Sequence, residues 1–543
     1  IDTSTLVTGP LVVGKVVSVT AEEQKNGRVI NWCHVDVGEH NGEDGFRGIV
    51  CGAHNFTEGD SVVVALPGAV LPGDFEISAR KTYGHLSDGM ICSEQELGLG
   101  EDHSGIIVLN QPAPPPGTDA LELLGLGEAV LEVNVTPDRG YCFSMRGIAR
   151  EFSHSTGAAF SDPADRPTPE PNDQGFPVDV DDRDPIRGQV GCDRFVTRIV
   201  RGIDPDAPTP DWMKRRLVQA GMRPISLAVD ITNYVMLDLG QPLHAYDLAT
   251  MNAPITVRRA NSGETLTTLD DVTRELHPED LLITDSNAER ILGIAGVMGG
   301  AETEVTSGTR DVLIEAAHFD PVTVARSARR HRLPSEAARR FERGVDPELP
   351  PVAADRVVEL LVDLAGGKAD EGVFDYDATA SPEPITMAVD LPGRIAGVRY
   401  DVGVVTRLLE QIGADVQQQA DTLLVTPPTW RPDLTGPEDL VEEVVRLHGY
   451  DNVPSILPTA PAGQGLTSGQ KARRKVADLL ANVGLVEVLT YPFTSEQRHE
   501  QLGIPEDDPR RQTLRLVNPL AGDRPLLRSS IVDTLVDAAV RNY

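Results

Sequence analysis

The chain has 543 residues, too many for one hydrophobic core, and this length predicts about three to five domains. Its net charge of −34 argues against non-specific nucleic-acid binding, because most of the surface would repel phosphate, although a local basic patch is not excluded. No apolar run reaches the roughly 18–20 residues that span a bilayer, and the five cysteines form no CxxC pair. These features favour a cytoplasmic protein without a membrane span, zinc site or disulfide scaffold.

The first part of the chain, residues 1–112, is rich in short β-branched runs separated by Gly, Asn, Asp and Pro. Runs at this spacing predict a small closed β-barrel. Residues 113–185 follow as a connecting segment, with one helix that begins after Ser144 and ends at Gly157. The Pro- and Asp-rich remainder of this segment predicts loop structure.

Residues 186–367 predict a larger domain of mixed α/β structure. Thr209 is the expected N-cap of a helix with Pro210 at its first position, and Ser226 is the expected cap of the next helix. Several strand-like apolar runs follow. A helix over 355–367 that ends in glycine closes the domain.

Residues 379–456 predict a smaller α+β unit, in which an amphipathic helix, a strand and a second helix follow each other. Residues 466–543 open with another helical pattern, QKARRKVADLLANVG, and belong to a further domain. The chain is therefore predicted to be a multidomain α+β protein.

Four carboxylates lie close together in the sequence of the smaller unit: Asp433, Asp439, Glu442 and Glu443. The last three are spaced i, i+3 and i+4 on a helix, so they share one face. A hard divalent cation such as Mg²⁺ would relieve their mutual repulsion. The alternative is a solvated acidic face, with acidic residues in the first turn favoured by the helix dipole.

Five positions of the larger domain are candidate pocket residues, although each has an ordinary structural explanation: His244, Gly299, Glu315, Ser335 and Ala337. A single histidine beside a proline and an aromatic residue is usually a packed core histidine. Glu315 alone would be a surface carboxylate at a strand end, and Ser335 a helix N-cap. Gly299 lets the backbone approach a ligand closely.

A basic stretch, residues 326–343, stands out in this acidic chain because it carries seven arginines: Arg326, Arg329, Arg330, Arg332, Arg339, Arg340 and Arg343. One interpretation is contact with nucleic-acid phosphates. The other is structural pairing with the many carboxylates. In the predicted barrel, Arg80 and Lys81 form the adjacent basic pair and are further candidates for RNA contacts.

Several motifs strongly resemble the beta-subunit family of bacterial phenylalanyl-tRNA synthetases: LPGDFEISARKTYGHLSDGMICSEQELGL, NVTPDRGYC, LGQPLHAYDL, RHRLPSEAARRFERGVDP and WRPDLTGPEDLVEEVVRLHGYDNVP. The resemblance covers nearly the whole chain. It implies an OB-type tRNA-binding barrel over 1–112, a B1-type segment over 113–185 and a B3/B4 editing domain over 186–367. It also implies a winged-helix-like B5 domain over 379–456 and, over 466–543, the start of a catalytic-like domain built on an antiparallel sheet. The chain is then a fragment of a longer subunit.

The resemblance also implies roles for particular residues. His244, Gly299, Glu315, Ser335 and Ala337 correspond to the pocket that hydrolyses tyrosine wrongly attached to the phenylalanine tRNA, with Glu315 expected to contact the phenol hydroxyl. Asp433, Asp439, Glu442 and Glu443 correspond to ligands of Mg²⁺ in a site shared with the alpha subunit. Arg80, Lys81, Arg329, Arg330, Arg339 and Arg340 are the expected tRNA contacts.

In that family the alpha subunit attaches phenylalanine to its tRNA with ATP, in an alpha2beta2 heterotetramer, so no residue of this chain is expected to catalyse aminoacylation. Two alternatives remain open at the level of sequence. One is a free-standing aminoacyl-tRNA deacylase, and the other is a non-catalytic tRNA-binding or assembly module.

Overall fold

The computed structural model describes residues 7–24, 27, 29–99, 105–110, 112–126, 130–459, 463 and 465–543. The chain divides into two compact units, Ile1–Pro454 and Ser455–Tyr543, and each is considered by itself below. Within the described residues, none of the helices combines the length and the apolar character needed to cross a membrane.

The barrel at the start of the first unit is a five-stranded antiparallel sheet in the order β3-β2-β1-β4-β9. Its strands and two small hairpins are β1 (Leu11–Glu23), β2 (Val29–Asp36), β3 (Arg47–Cys51), β4 (Ser61–Ala65), β5 (Val70–Leu71), β6 (Phe75–Glu76), β7 (Arg80–Thr82), β8 (His85–Ser87) and β9 (Met90–Ile91). A bulge between Val16 and Ser18 bends the long strand β1. The predicted β-rich barrel is confirmed.

Two helices follow the barrel, α1 (Ala120–Leu124) and α2 (Met145–Thr156). The side chain of Ser144 caps α2 by accepting a hydrogen bond from the Gly147 N–H at 3.0 Å. Gly157 ends the helix with a φ of 74°, a left-handed conformation that glycine adopts without strain. Both boundaries agree with the sequence-based prediction.

The next domain contains two sheets, one of four strands in the order β12-β19-β11-β20 and one of five in the order β10-β13-β16-β17-β18. The strands are β10 (Val178–Asp181), β11 (Cys192–Arg201), β12 (Leu243–Asp247), β13 (Ile255–Arg259), β14 (Thr265–Thr267), β15 (Thr273–Glu275), β16 (Leu281–Asp285), β17 (Arg290–Ile294), β18 (Met298–Gly299), β19 (Val312–Phe319) and β20 (Lys368–Asp377). The helices are α3 (Asp211–Gln219), α4 (Leu227–Leu239), α5 (Pro321–His331), α6 (Glu336–Phe341) and α7 (Leu349–Ala365).

Two helix starts differ from the prediction. Pro210, not Thr209, is the residue before α3. The Thr209 hydroxyl instead donates a hydrogen bond to Oδ2 of the buried Asp230 at 2.6 Å, so a tertiary contact takes the group that a cap would use. Helix α7 begins at Leu349, several residues before the predicted start, because Pro350 suits a first turn and the residues of that turn, Leu349 and Val352 among them, are buried.

The four-stranded sheet separates two apolar cores, so successive side chains along its strands face the two cores in turn. On β11, Phe195 faces the first core, whereas Val196 faces the second. On β19, Leu313 and Ala317 face the first core. Since successive strand residues point to opposite faces, Glu315 lies on the side of the first core, between two apolar neighbours on that face.

The smaller domain is a three-stranded antiparallel sheet in the order β21-β23-β22, packed against helices. Its elements are β21 (Ile385–Ala388), α8 (Leu391–Ala396), α9 (Val402–Gln411), β22 (Asp415–Gln419), β23 (Thr422–Thr426) and α10 (Pro437–His448). The apolar face of α10, with Leu440, Val441 and Val444, lies in the core of this domain as the sequence pattern predicts.

The second unit contains α11 (Ser468–Asn482), β24 (Phe493–Thr494), α12 (Glu496–Gln501), β25 (Leu526–Leu527) and α13 (Ile531–Asn542). Its sheet is a short antiparallel pair, β24 with β25. Six single turns of 3₁₀-helix complete the described secondary structure of the chain, at Gly38–His40, Gly140–Cys142, Leu248–Thr250, Ala301–Thr303, Tyr450–Asn452 and Pro509–Arg511.

Candidate functional site

The centre of the candidate site is a pair of residues on neighbouring strands. β12 and β19 run antiparallel, and their register places His244 directly opposite Glu315. Side chains directly opposite each other in such a pair lie within contact distance. Tyr246 is two residues after His244 on β12 and therefore shares its face of the sheet.

Glu315 is a buried carboxylic acid, with 6% of its surface exposed. Burial raises its pKa to about 7, and a hydrogen bond from Tyr246 opposes that rise. The Tyr246 hydroxyl donates this bond to Glu315 Oε2 at 2.5 Å. A carboxyl group whose pKa lies near neutrality in an apolar surrounding is costly to maintain, and such groups concentrate at functional sites.

His244 stands beside this carboxyl as a neutral imidazole, because burial lowers its pKa to about 4. The Nε2 atom is buried and finds no hydrogen-bond partner among the described residues. The Tyr246 ring packs edge-on against the imidazole, with 4.4 Å between ring centroids. A buried, unpaired ring nitrogen is available for a ligand or a water molecule.

Gly299 lies against the imidazole from the second sheet of the domain. A Cβ atom on Gly299 would lie 2.8 Å from Cε1 and 3.0 Å from Nε2 of His244. Contacts this close do not occur for real Cβ atoms, so only glycine fits here without displacing the histidine. The sequence-based reason for a glycine at this position, close approach of the backbone, agrees with this packing.

Ser335 and Ala337 belong to the start of α6. The Ser335 hydroxyl accepts a hydrogen bond from the Ala338 N–H at 3.1 Å and donates one to the Val297 carbonyl at 2.7 Å. Ser335 is therefore the predicted N-cap, and it also ties α6 to the segment that leads into Gly299. Ala337 packs against the first core, which contains Ala338.

The five predicted pocket residues therefore lie in one region of the fold. His244, Glu315 and Gly299 are immediate neighbours, and Ser335 is joined to them through Val297. Sequence reasoning missed Tyr246, although strand periodicity alone places it on the same face as His244. The site assignment stays a prediction, because proximity does not identify a ligand.

A cavity with a volume of about 1570 Å³ lies elsewhere in the first unit. It is lined by the segment after the barrel, which includes Leu123, and by the α3–α4 region, which includes Lys214, Arg223 and Asp230. None of the predicted site residues lines it.

The four predicted metal ligands are engaged by protein groups. Asp439 Oδ2 accepts hydrogen bonds from the Thr435 and Gly436 N–H groups at 2.9 and 2.8 Å, so this carboxylate caps α10. Glu442 accepts a hydrogen bond from the Tyr450 hydroxyl at 2.7 Å. These bonds use carboxylate oxygens that a cation would need.

Three arginines neutralise the rest of the cluster. Arg431 donates to both oxygens of Asp433, at 2.9 and 2.7 Å, and to Oε1 of Glu443 at 3.1 Å. Arg139 donates to Glu443 Oε1 at 2.5 Å, and Arg446 donates to its Oε2 at 2.8 Å. Glu443 is 1% exposed, and this surrounding holds its pKa well below the usual range: burial pushes the pKa up, and the bonds from Arg431 and Arg446 outweigh it.

In this chain Asp433, Asp439, Glu442 and Glu443 are hydrogen-bonded to protein groups, and their assignment to a magnesium site shared with an alpha subunit stays a prediction. Across the residues that the structure describes, no group of three or more His, Cys, Asp or Glu side chains is arranged to hold a metal. Arg139, Arg431 and Arg446 bring positive charge to this cluster within the chain. The approach of Arg139 was not predicted because it lies about 300 residues before the cluster, whereas Arg431 and Arg446 are close to the carboxylates in sequence.

The basic stretch around α5 and α6 is also largely paired within the protein. Arg330 forms ion pairs with Asp280 and Glu279, and Arg340, 4% exposed, pairs with Glu336 at 2.9 Å. Arg339 pairs with the same Glu336 at 2.9 Å. The contacts of Arg330, Arg339 and Arg340 therefore agree with the interpretation that these arginines pair with carboxylates of the protein.

Four of the predicted tRNA contacts are exposed to solvent, and one of them, Arg339, pairs with Glu336. Arg329 lies on the surface of α5, and Arg80 and Lys81 lie on the hairpin strand β7. These remain the candidates for contact with an RNA backbone.

Comparison with protein families assigns most of the chain to four models. The B3/4 domain model matches residues 191–366, the tRNA synthetase B5 domain model matches 385–450, and the putative tRNA binding domain model matches 11–119. The phenylalanyl tRNA synthetase beta chain CLM domain model matches 453–543.

Curated relatives agree along the whole chain. A protein of Thermobifida fusca (strain YX) named phenylalanine–tRNA ligase beta subunit is 54% identical over 99% of this chain. A protein of Bifidobacterium longum (strain NCC 2705) with the same name is 52% identical over 99% of this chain. This chain belongs to the phenylalanine–tRNA ligase beta-subunit family. It covers 63% and 66% of these two relatives, which is less than two thirds of their length.

A solved structure titled as an N-terminal fragment of the phenylalanyl-tRNA synthetase beta subunit from Pyrococcus horikoshii aligns with 18% identity and a TM-score of 0.31. The alignment covers 60% of this chain and 90% of the chain in the solved structure. A TM-score of this size supports no statement about the fold.

Proposed function

We propose that this chain carries the editing site of a phenylalanine–tRNA ligase beta subunit and hydrolyses tyrosine that has been attached wrongly to the phenylalanine tRNA. The observation that supports this function best is the buried pair His244 and Glu315, closed on one side by Gly299. The pair belongs to the region that the B3/4 domain model matches.

The chemical need for such a site follows from the two amino acids. Tyrosine differs from phenylalanine by one hydroxyl group, and an apolar synthetic pocket rejects an added hydroxyl only modestly. A second pocket that forms a hydrogen bond with the hydroxyl binds tyrosine in preference to phenylalanine, because bound phenylalanine would leave the polar group of the pocket unpaired. Glu315 supplies a buried acceptor for that contact.

The proposed reaction is the hydrolysis of an ester. The oxygen of a water molecule attacks the carbonyl carbon, and the bond between that carbon and the ribose oxygen breaks. A proton passes to the ribose oxygen, so the products are free tyrosine and uncharged tRNA. His244 is neutral at physiological pH because of its low pKa, and its unpaired Nε2 binds the water or the ester.

The assembled ligase extends beyond this chain. We propose that an alpha subunit attaches phenylalanine to its tRNA with ATP and Mg²⁺, and that this chain contributes to an alpha2beta2 heterotetramer in the cytoplasm. The support is the family membership, together with a region that matches the CLM domain model. Asp433, Asp439, Glu442 and Glu443 are the proposed contribution of this chain to a Mg²⁺ site shared with the alpha subunit, which would have to displace some of their present hydrogen bonds.

Hydrolysis of tyrosyl-tRNA by the complete beta subunit with its alpha subunit tests the editing function. We expect the wild type to deacylate tyrosyl-tRNA and the variants His244→Ala and Glu315→Ala to lose this activity. Glu275→Gln changes an exposed carboxylate on β15 of the same domain and serves as the matched control. Equal hydrolysis by all four proteins would remove the pocket assignment.

Native mass spectrometry after mixing with the alpha subunit tests the assembly. A complex of two alpha and two beta chains is the expected result. A beta chain that stays alone yet hydrolyses tyrosyl-tRNA would indicate the free-standing deacylase instead. A beta chain that assembles but does not hydrolyse would indicate the assembly module.

A further inference from the structure

A tyrosine of the protein itself, Tyr246, already forms a hydrogen bond with Glu315 inside the candidate site. The Tyr246 hydroxyl donates a hydrogen bond to Oε2 of Glu315 at 2.5 Å, and Tyr246 is 1% exposed. The bond joins β12 to β19 diagonally, because the residue directly opposite Tyr246 is Leu313. A buried phenol of the protein thus makes with Glu315 the contact that the proposed function expects from the phenol of the substrate.

We propose that Tyr246 is a positioning residue for tyrosine recognition: its hydroxyl holds Oε2 of Glu315, so that Oε1 is the oxygen that accepts the substrate phenol. The inference rests on the proposed editing function. Tyr246 is not a catalytic residue in this scheme, since it acts on the substrate through Glu315.

The arrangement around Glu315 explains why such a residue is needed. Its surroundings on the core face are apolar, with Leu313 and Ala317 as the neighbours on its own strand. The titratable groups that face it from the packed elements are Tyr246 and His244 on β12 and Cys192 on β11, and Asp285 on β16 acts on Tyr246. Since His244 is neutral, none of these groups brings a positive charge to Glu315 at physiological pH.

Without a cation nearby, the charged form of Glu315 depends on donated hydrogen bonds. Burial raises its pKa to about 7, and the Tyr246 bond works against this rise. A protonated Glu315 carries its own O–H and is a weaker acceptor for a hydrogen bond from the substrate phenol. Loss of the Tyr246 hydroxyl therefore weakens recognition near neutral pH and spares it at higher pH, where Glu315 ionises without help.

The variant Tyr246→Phe in the complete beta subunit with its alpha subunit tests the inference. The measurement is kcat/KM for tyrosyl-tRNA hydrolysis from pH 5.5 to about 9, corrected for spontaneous ester hydrolysis. We expect the acid limb of the variant to lie about one pH unit above that of the wild type. This shift corresponds to about a fivefold lower rate at pH 7 and convergence of the two rates near pH 9. Superimposable profiles would overturn the proposal.

Tyr376→Phe is the matched control, because Tyr376 lies on β20 of the same sheet and forms no hydrogen bond with Glu315. Its profile should follow the wild type. The variant Glu315→Gln, which keeps Tyr246, provides an independent check if Tyr246→Phe fails to fold. Its profile should lack the acid limb altogether, and persistence of the limb would contradict the role of Glu315 in it.

Titration of the Glu315 carboxyl separates this inference from the editing function. Isotope-edited infrared spectra of the 543-residue chain labelled with ¹³C-glutamate, with Glu315→Gln as the assignment control, report its ionisation directly. A higher pKa in Tyr246→Phe together with no hydrolysis by the wild type refutes the editing function and leaves the Tyr246–Glu315 contact in place. Hydrolysis by the wild type with an unchanged Glu315 pKa in the variant refutes the inference alone.

Discussion

The close packing of Gly299 on His244 gives a prediction whose size can be worked from the structure. The variant Gly299→Ala places a methyl group 2.8 Å from Cε1 and 3.0 Å from Nε2 of the imidazole. The φ of Gly299 is not in the left-handed region, so the backbone tolerates alanine and the cost is steric. Overpacking of this kind costs about 1–3 kcal/mol.

The displaced imidazole should also lower activity. A shift of about 1 Å in a positioning group costs up to about a hundredfold in rate, so we expect tyrosyl-tRNA hydrolysis to fall by about ten- to a hundredfold. Native-state hydrogen exchange at the amides of β12 and β18 measures the change in local stability, which is the suitable quantity in a chain of several domains.

Gly308→Ala is the control, because its new Cβ would meet Thr306 Oγ1 at 3.7 Å, an ordinary contact. The double variant Gly299→Ala/His244→Ala removes the ring that the methyl group displaces. Its stability should exceed the sum expected from the two single variants by about 1 kcal/mol or more. Equal hydrogen exchange in Gly299→Ala and Gly308→Ala would refute the packing argument.

Three further predictions concern the charged groups of the first unit. Arg431→Ala leaves the buried Glu443 with fewer donors and should destabilise the smaller domain by about 3 kcal/mol, measured by hydrogen exchange in α10, whereas Arg394→Ala, in an exposed pair, should change little. Asp162 is partly buried, which raises its pKa, but hydrogen bonds from Arg146 bring it down from 3.8 to about 2. Its contribution to stability is therefore complete above pH 3.8 and lost as the pH falls through about 2; acid unfolding of Asp162→Asn should lack this step, and an identical acid transition would contradict it. Arg329→Ala should weaken tRNA binding and reduce, by about one, the slope of the logarithm of the binding constant against the logarithm of salt concentration. Arg330→Ala should chiefly destabilise the domain, because Arg330 pairs with the buried Asp280. Equal slopes for the wild type and Arg329→Ala would remove Arg329 from the interface.

Local sequence signals predicted the secondary structure best where a residue acts on its own neighbours. Gly157 ends a helix and Ser335 caps one as expected, because a cap is decided within about four residues of sequence. The Thr209 prediction was wrong because Asp230, in the next helix, takes its hydroxyl. Contacts of that kind depend on the packing of two helices and leave no mark at the predicted cap itself.

The environment of charged residues was the least predictable property. From its sequence neighbours alone, Glu315 resembled a surface carboxylate at the end of a strand, but the sheet places it on the face that borders the first core, where burial raises its pKa to about 7. In the acidic cluster, the fold brings Arg139 from about 300 residues away to Glu443. Such a distant partner cannot be read from spacing along one segment, whereas Arg431, two residues before Asp433, is visible in the sequence.

The order of strands in the four-stranded sheet has a consequence for synthesis on the ribosome. β11 forms hydrogen bonds with β19 on one side and with β20 on the other. Both of its edges therefore stay unpaired until strands that are synthesised much later have formed. At about 5–20 residues per second the nascent strand remains unpaired on at least one edge for roughly ten seconds or more. Unpaired strand edges are sites of aggregation, so chaperones that bind extended apolar segments should engage this part of the chain before its last strand emerges.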